Sequence, residues 1–131
     1  QHDYFSGGGG LSSTVKDYAI FLQMLLNNGE YNGTRYVSRN TIRLMTMNQI
    51  GDLTIDGQHK FSFGFRLVDE NTARLSPSQA GTYSWGGAFS TSYWVDPKEE
   101  MICIIYRQIW ATNVGLTDKA FKPLVDQAIN D

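Results

Sequence analysis

The sequence predicts an α+β fold, an antiparallel sheet of three to four strands with helices packed around it. Three observations carry this expectation. Apolar residues recur at helical spacing near both ends of the chain. Between them, aromatic and β-branched residues alternate with polar ones or form short apolar runs. Turn signals such as Asn32-Gly33 and Asp96-Pro97 separate those runs.

The chain has 131 residues, the size of one domain, and 41% apolar with 18% charged residues gives it enough core-forming side chains to fold. Residues 1–10 read as a glycine-rich lead-in, because Gly7 to Gly10 permit turns that other residues avoid. They show no basic region followed by an apolar stretch, so no secretory leader is read there. A helix follows, with Val15, Ala19, Leu22, Leu25 and Leu26 on one face and Tyr18 and Phe21 beside them. Ser13 or Thr14 caps it, Thr14 with Asp17 fits a capping box, and Gly29 stops it. Asn32-Gly33 predicts a small β-ribbon within Glu30 to Val37. Ser38 caps a second helix with Ile42, Met45 and Leu44 as its apolar side, and Gly51 to His59 is a loop.

The period then changes. Phe61, Phe63, Phe65 and Leu67 alternate with their neighbours as in one half-buried strand, and Asp69 to Thr82 reads as a long loop. Tyr83 to Gly87 and Phe89 to Val95 are two further strands, with Tyr93 and Val95 facing the same way. Asp96 to Glu99 turns the chain into Met101 to Arg107, a run apolar enough to be covered on both faces. Phe121, Leu124, Val125 and Ala128 form a closing helical stripe, which either starts or kinks at Pro123.

Several function classes find no support. A net charge of −2 and scattered basic residues give no attraction to nucleic acid, and no apolar run approaches a membrane span. Cys103 is the one cysteine and reads as a small buried hydrophobe; His2 and His59 have no metal-spaced partners, so no metal site is expected. Ser13-Thr14-Val15-Lys16 spells Ser-x-x-Lys, in which lysine activates a serine nucleophile, but a hydroxyl there also starts a helix, which is the preferred reading. Tyr4-x-Ser6 and Tyr36-x-Ser38 match a two-residue tyrosine-base pattern that arises by chance. Neither histidine sits where a triad base would, and Asp52, Asp56, Glu99 and Glu100 read as solvated charges.

One segment differs. In Tyr83-Ser84-Trp85-Gly86-Gly87-Ala88-Phe89, two glycines beside an aromatic let a ligand approach the backbone, whose N–H groups could hold an oxyanion. A glycine bulge between strands explains the same residues.

Taken in order, these pieces resemble a known family. Gly7 to Thr14, Asp17-Tyr18, Phe21 and Met24-Leu25-Leu26 are similar to the glycine-run and helix segment of serine β-lactamase-like hydrolases. Asn32-Gly33, Phe63-Gly64-Phe65, Trp85-Gly86-Gly87-Ala88 and Tyr93-Trp94-Val95-Asp96-Pro97 continue the match, the tryptophan segment resembling the third motif of class C β-lactamases, D-alanyl-D-alanine peptidases and esterase relatives. The resemblance implies part of the β-lactamase/transpeptidase-like fold, with residues 11–131 as the C-terminal portion of a serine hydrolase domain and no cofactor.

It further implies that Trp85, Gly86 and Gly87 stand where β-lactamases have Lys-Thr-Gly, and that the Ala88 N–H is half of an oxyanion hole. Trp85 lacks the cation that recognises a β-lactam carboxylate, which tilts the expectation towards ester, amide or peptide substrates with an uncharged acyl partner. In that family the Ser-x-x-Lys helix and the Tyr-x-Asn tyrosine precede the glycine run by a long stretch. The nucleophile, lysine and tyrosine are therefore expected outside this chain, which by itself should be inactive, with no catalytic residue of its own. Family habit suggests a bacterial envelope or secreted setting. The expected partner of strand 101–107 is the N-terminal half or a second copy, since its pairing strands are absent. The rival expectation is a binding module, with Tyr83, Trp85, Phe89, Tyr93 and Trp94 as a sugar or peptide platform.

Overall fold

The computed structural model describes residues 4–110 and 115–129. Helix α1 spans Val15–Leu26 and is capped as its sequence requires. The Asp17 N–H donates to Thr14 Oγ1 at 3.1 Å, and Thr14 Oγ1 donates to Asp17 Oδ2 at 2.8 Å. Leu22 and Leu25 are its buried face. Past its end, Gly29 takes φ +94° and donates to the Met24 carbonyl. The ribbon is β1, Glu30–Tyr31, paired with β2, Thr34–Arg35. Asn32 and Gly33 both have positive φ, which is why that dipeptide makes the turn.

Helix α2, Arg39–Met45, begins on Ser38, whose Oγ accepts from the Thr41 N–H. Ile42 is buried and Met45 half-buried, but Leu44 is 45% exposed and does not belong to the apolar side.

The main sheet has five strands, all antiparallel, in chain order: β3 Lys60–Phe61, β4 Arg66–Leu67, β5 Tyr83–Gly86, β6 Ser92–Asp96 and β7 Met101–Ile105. The expectation of a single strand through Phe61 to Leu67 is corrected here. Gly64 turns at φ +90° and the Ser62 N–H donates to the Phe65 carbonyl, folding the run into a hairpin with Phe63 exposed at its tip. The hairpin supplies the additional strand. The expected loop from Asp69 also contains a short helix, α3, Glu70–Ala73, capped by Asp69. Strand β6 starts later than expected because Gly87 to Thr91 are spent on a turn.

Leu67, Tyr83, Tyr93 and Val95 form one sheet face with Phe65, and α1 packs on it through Leu22 and Leu25. Trp94 lies on the other side, buried edge-on against Phe121 of α4, Gly115–Ala128, with Lys122 Nζ 5.1 Å from its ring centroid. The helix runs through Pro123 rather than starting there. The predicted stripe is only partly right: Phe121 and Leu124 are exposed, while Lys122, Val125 and Asp126 are half-buried. Lys122 and Asp126 can sit there because they pair at 3.0 Å. The β7 side chains are half-buried, and among the described strands β7 forms an edge of the sheet.

No described helix is long and apolar enough to cross a membrane. His2 lies outside the described residues.

Candidate functional site

Strand β5 ends in the Trp85 to Ala88 corner. Trp85 pairs with Tyr93 and Gly86 with Ser92, and the Gly87 N–H donates to the Thr91 carbonyl at 3.0 Å. The chain then turns, and the Ser90 N–H donates to the Gly87 carbonyl at 3.0 Å. Ala88 occupies the second position of this four-residue turn, where the N–H points outward and has no role in closing it. Among the described residues the Ala88 amide has no hydrogen-bond acceptor, and the residue is exposed.

The glycines answer a second demand. A Cβ on Gly86 would lie 2.8 Å from the Thr91 carbonyl oxygen, and one on Gly87 would lie 2.6 Å from Thr91 Oγ1. Neither has positive φ, so space rather than backbone conformation calls for glycine.

The far side of the turn is fixed by later chain. Ser90 is buried at φ +62°, its Oγ donates to the Ile109 carbonyl at 2.9 Å, and its carbonyl accepts from Arg107 Nε at 3.0 Å. Phe89 and Trp110 are both more than half exposed and meet edge-on at 5.3 Å.

Trp85 is 42% exposed, with Phe61 edge-on at 5.1 Å and the Arg66 guanidinium carbon 5.8 Å from its ring centroid. Arg66 stands opposite Ser84 across β4 and β5, next to Trp85 along the strand. Its Nε lies 3.8 Å from Asp56 Oδ2, and His59 Nδ1 lies 3.0 Å from both Asp56 oxygens. Partial burial works to raise the Asp56 carboxyl, but hydrogen bonds from the His59 backbone and ring outweigh it. With the Arg66 charge they hold Asp56 below the usual carboxylate range. Asp56 stays exposed, as expected of a solvated charge, and also joins the loop to Arg66. Its neighbourhood with His59 and Arg66 was hidden because it depends on hairpin pairing.

The other residue patterns resolve separately. Thr14 caps α1, and Ser13 and Lys16 are exposed beside it. Ser38 caps α2, as Tyr36 stays on the surface. Cys103 is half-buried in β7, and burial raises its thiol. Of the five aromatics read as a platform, Tyr83, Tyr93 and Trp94 are buried, leaving Trp85 and Phe89 at the surface. A cleft of about 400 Å³ lined by Leu25, Asn28, Ile42, Tyr83, Pro97 and Glu100 lies at the end of α1, away from the Trp85 to Ala88 corner. No group of three or more His, Cys, Asp or Glu among the described residues could hold a metal ion.

Comparison with known proteins places this geometry in context. The family profile described as Beta-lactamase matches residues 1–122. Protein Rv1367c of Mycobacterium tuberculosis (strain ATCC 25618 / H37Rv) is 33% identical over 115 residues, covering 77% of this chain and 28% of that protein. A protein of Escherichia coli (strain K12) named "Putative D-alanyl-D-alanine carboxypeptidase" is 27% identical over 131 residues, covering 95% of this chain and 26% of its own. The chain thus spans little more than a quarter of the length of these relatives. With an α+β architecture and a family match across nearly all of its length, this chain belongs to the beta-lactamase family.

Proposed function

We propose that residues 11–131 are the C-terminal portion of a serine hydrolase domain and form one wall of its acyl-binding pocket. In this reading Trp85, Gly86 and Gly87 are the third motif, and the Ala88 N–H is one of two donors to the oxyanion. The observation that carries it is the unpaired Ala88 amide on an exposed turn in which the Gly87 and Ser90 amides are engaged. A donor already oriented by the fold needs no rearrangement when negative charge develops on a carbonyl oxygen. The reaction would be acyl transfer from an ester, amide or peptide. A serine from a segment outside these residues, giving its proton to a lysine and tyrosine also outside them, attacks the carbonyl carbon. The tetrahedral oxyanion points at Ala88, the bond to the leaving alcohol or amine breaks as that group takes the relayed proton, and water then frees the acyl group from the serine. The name of the Escherichia coli relative and the greater length of both relatives support this reading. On this proposal the isolated chain is inactive.

Ala88→Pro tests it. Proline is favoured at the second position of a tight turn, and no hydrogen bond is lost with the N–H. In the longer polypeptide the variant should fold as the parent does and lose ~10²–10³ in kcat on a p-nitrophenyl ester. Unchanged turnover would remove Ala88 from the mechanism. An encoding frame without Ser-x-x-Lys upstream of Gln1 would count against acyl transfer altogether.

A further inference from the structure

We propose that the cleft at the end of α1 is a binding site for a primary ammonium carried on a short apolar stem. The cleft lies at the Tyr83 end of β5 and the Trp85 to Ala88 corner at the other, so this site is independent of the acyl-transfer reading. Its volume of about 400 Å³ falls within the ~300–1,000 Å³ of small-molecule sites.

Three groups around the cleft can accept an N–H, and none has a partner among the described residues. Tyr83 is only 2% exposed, and its hydroxyl makes no hydrogen bond. That hydroxyl is not one of the fully enclosed polar atoms, so it opens onto the cleft that the residue lines. A buried hydroxyl without a partner costs free energy, which a ligand N–H would relieve. The carbonyl of Leu26, in the last turn of α1, also accepts no hydrogen bond. This end of a helix carries partial negative charge, and α1 has no basic residue in its last turn to balance it. The β6–β7 turn adds Glu100, exposed and without an ion pair.

No lysine or arginine lines the cleft. Arg35 reaches the Asn28 carbonyl at 3.0 Å, but its guanidinium is paired with Glu30 at 3.0 Å and leaves Glu100 uncompensated. An ammonium has three N–H donors and no acceptor, which matches a wall of acceptors. Leu25 and Ile42, both buried, supply the apolar side for the stem. A single carboxylate holds calcium poorly, so an organic cation fits better than a divalent metal.

The test is titration of this chain at constant ionic strength, followed by ¹H–¹⁵N NMR. The probes are n-butylammonium chloride, butan-1-ol, tetramethylammonium chloride and calcium chloride. n-Butylammonium should shift the backbone amides of Leu26, Asn28 and Glu100 saturably. Butan-1-ol keeps the stem without the charge, and tetramethylammonium keeps the charge without an N–H. Each should bind about tenfold more weakly, and calcium should bind no better than they do. Glu100→Gln, on an exposed turn, should leave the rest of the spectrum unchanged and weaken n-butylammonium about tenfold. Tyr83→Phe should weaken it too; if that variant does not fold, Glu100→Gln and the comparison of probes decide alone. Absence of saturable shifts, equal binding of any other probe, or undiminished affinity in Glu100→Gln would overturn the proposal.

Discussion

The carbonyl oxygen of Thr91 lies 2.8 Å from where a Cβ would stand on Gly86. The hydroxyl of the same threonine lies 2.6 Å from the corresponding position on Gly87. One residue therefore crowds two glycines, through backbone in one case and side chain in the other. The difference is measurable. Gly86→Ala should cost ~1–3 kcal/mol in urea melts, and Thr91→Ala should not recover it, because the carbonyl remains. Gly87→Ala should cost a similar amount alone and clearly less in a Thr91→Ala background. Additive costs at Gly87 would contradict the stated contact.

Gly29 and Gly33 both have positive φ, at +94° and +74°, but differ in surroundings. A Cβ at Gly29 would meet the Val37 carbonyl oxygen at 2.1 Å, whereas at Gly33 nothing lies within 4 Å. Gly33→Ala should cost only the left-handed penalty of ~1–2 kcal/mol. Gly29→Ala should add a further ~1–3 kcal/mol of steric displacement, giving the larger loss in thermal or urea denaturation.

Alkaline pH should weaken the fold through two buried phenols. Burial raises the Tyr83 and Tyr93 hydroxyls well above the ordinary tyrosine value. A group that holds its proton more tightly when folded contributes its full stability below the unfolded value, about 10, and loses it as pH rises further. Denaturation midpoints should fall steeply above pH ~10. Tyr83→Phe and Tyr93→Phe should each flatten that fall. An unaltered slope in both variants would mean that other groups control it.

Strand β7 ends the sheet with an unpaired edge among the described strands, and its side chains are only half-buried. The chain alone should therefore associate through residues 101–107, by pairing with a second copy. Size-exclusion chromatography with light scattering should show mass above the monomer's, shifting with concentration. A single monomeric species across that range would dismiss the idea.

Local chemistry made much of the fold legible. Thr14 with Asp17, Ser38, and Asn32-Gly33 each satisfy nearby backbone groups, so their neighbours in sequence suffice to identify them. Phe61 to Leu67 misled because alternation describes a hairpin's two arms as well as one strand, and Gly64 was the single sign of the turn. Pro123 was expected either to begin a helix or to kink one, and the first alternative is excluded because the helix continues through it. The Trp85 to Ala88 corner was visible as a motif. Arg66 beside it was not, because only the β4–β5 register joins them.

Ser90 gives the corner a remote dependence. Its two hydrogen bonds to Arg107 and Ile109 make the direction of the Ala88 amide answer to residues that follow the last strand. Proteolytic nicking just after Ile105, or a truncation there, would leave every residue from Trp85 to Ala88 in place and still unmoor the turn that orients them.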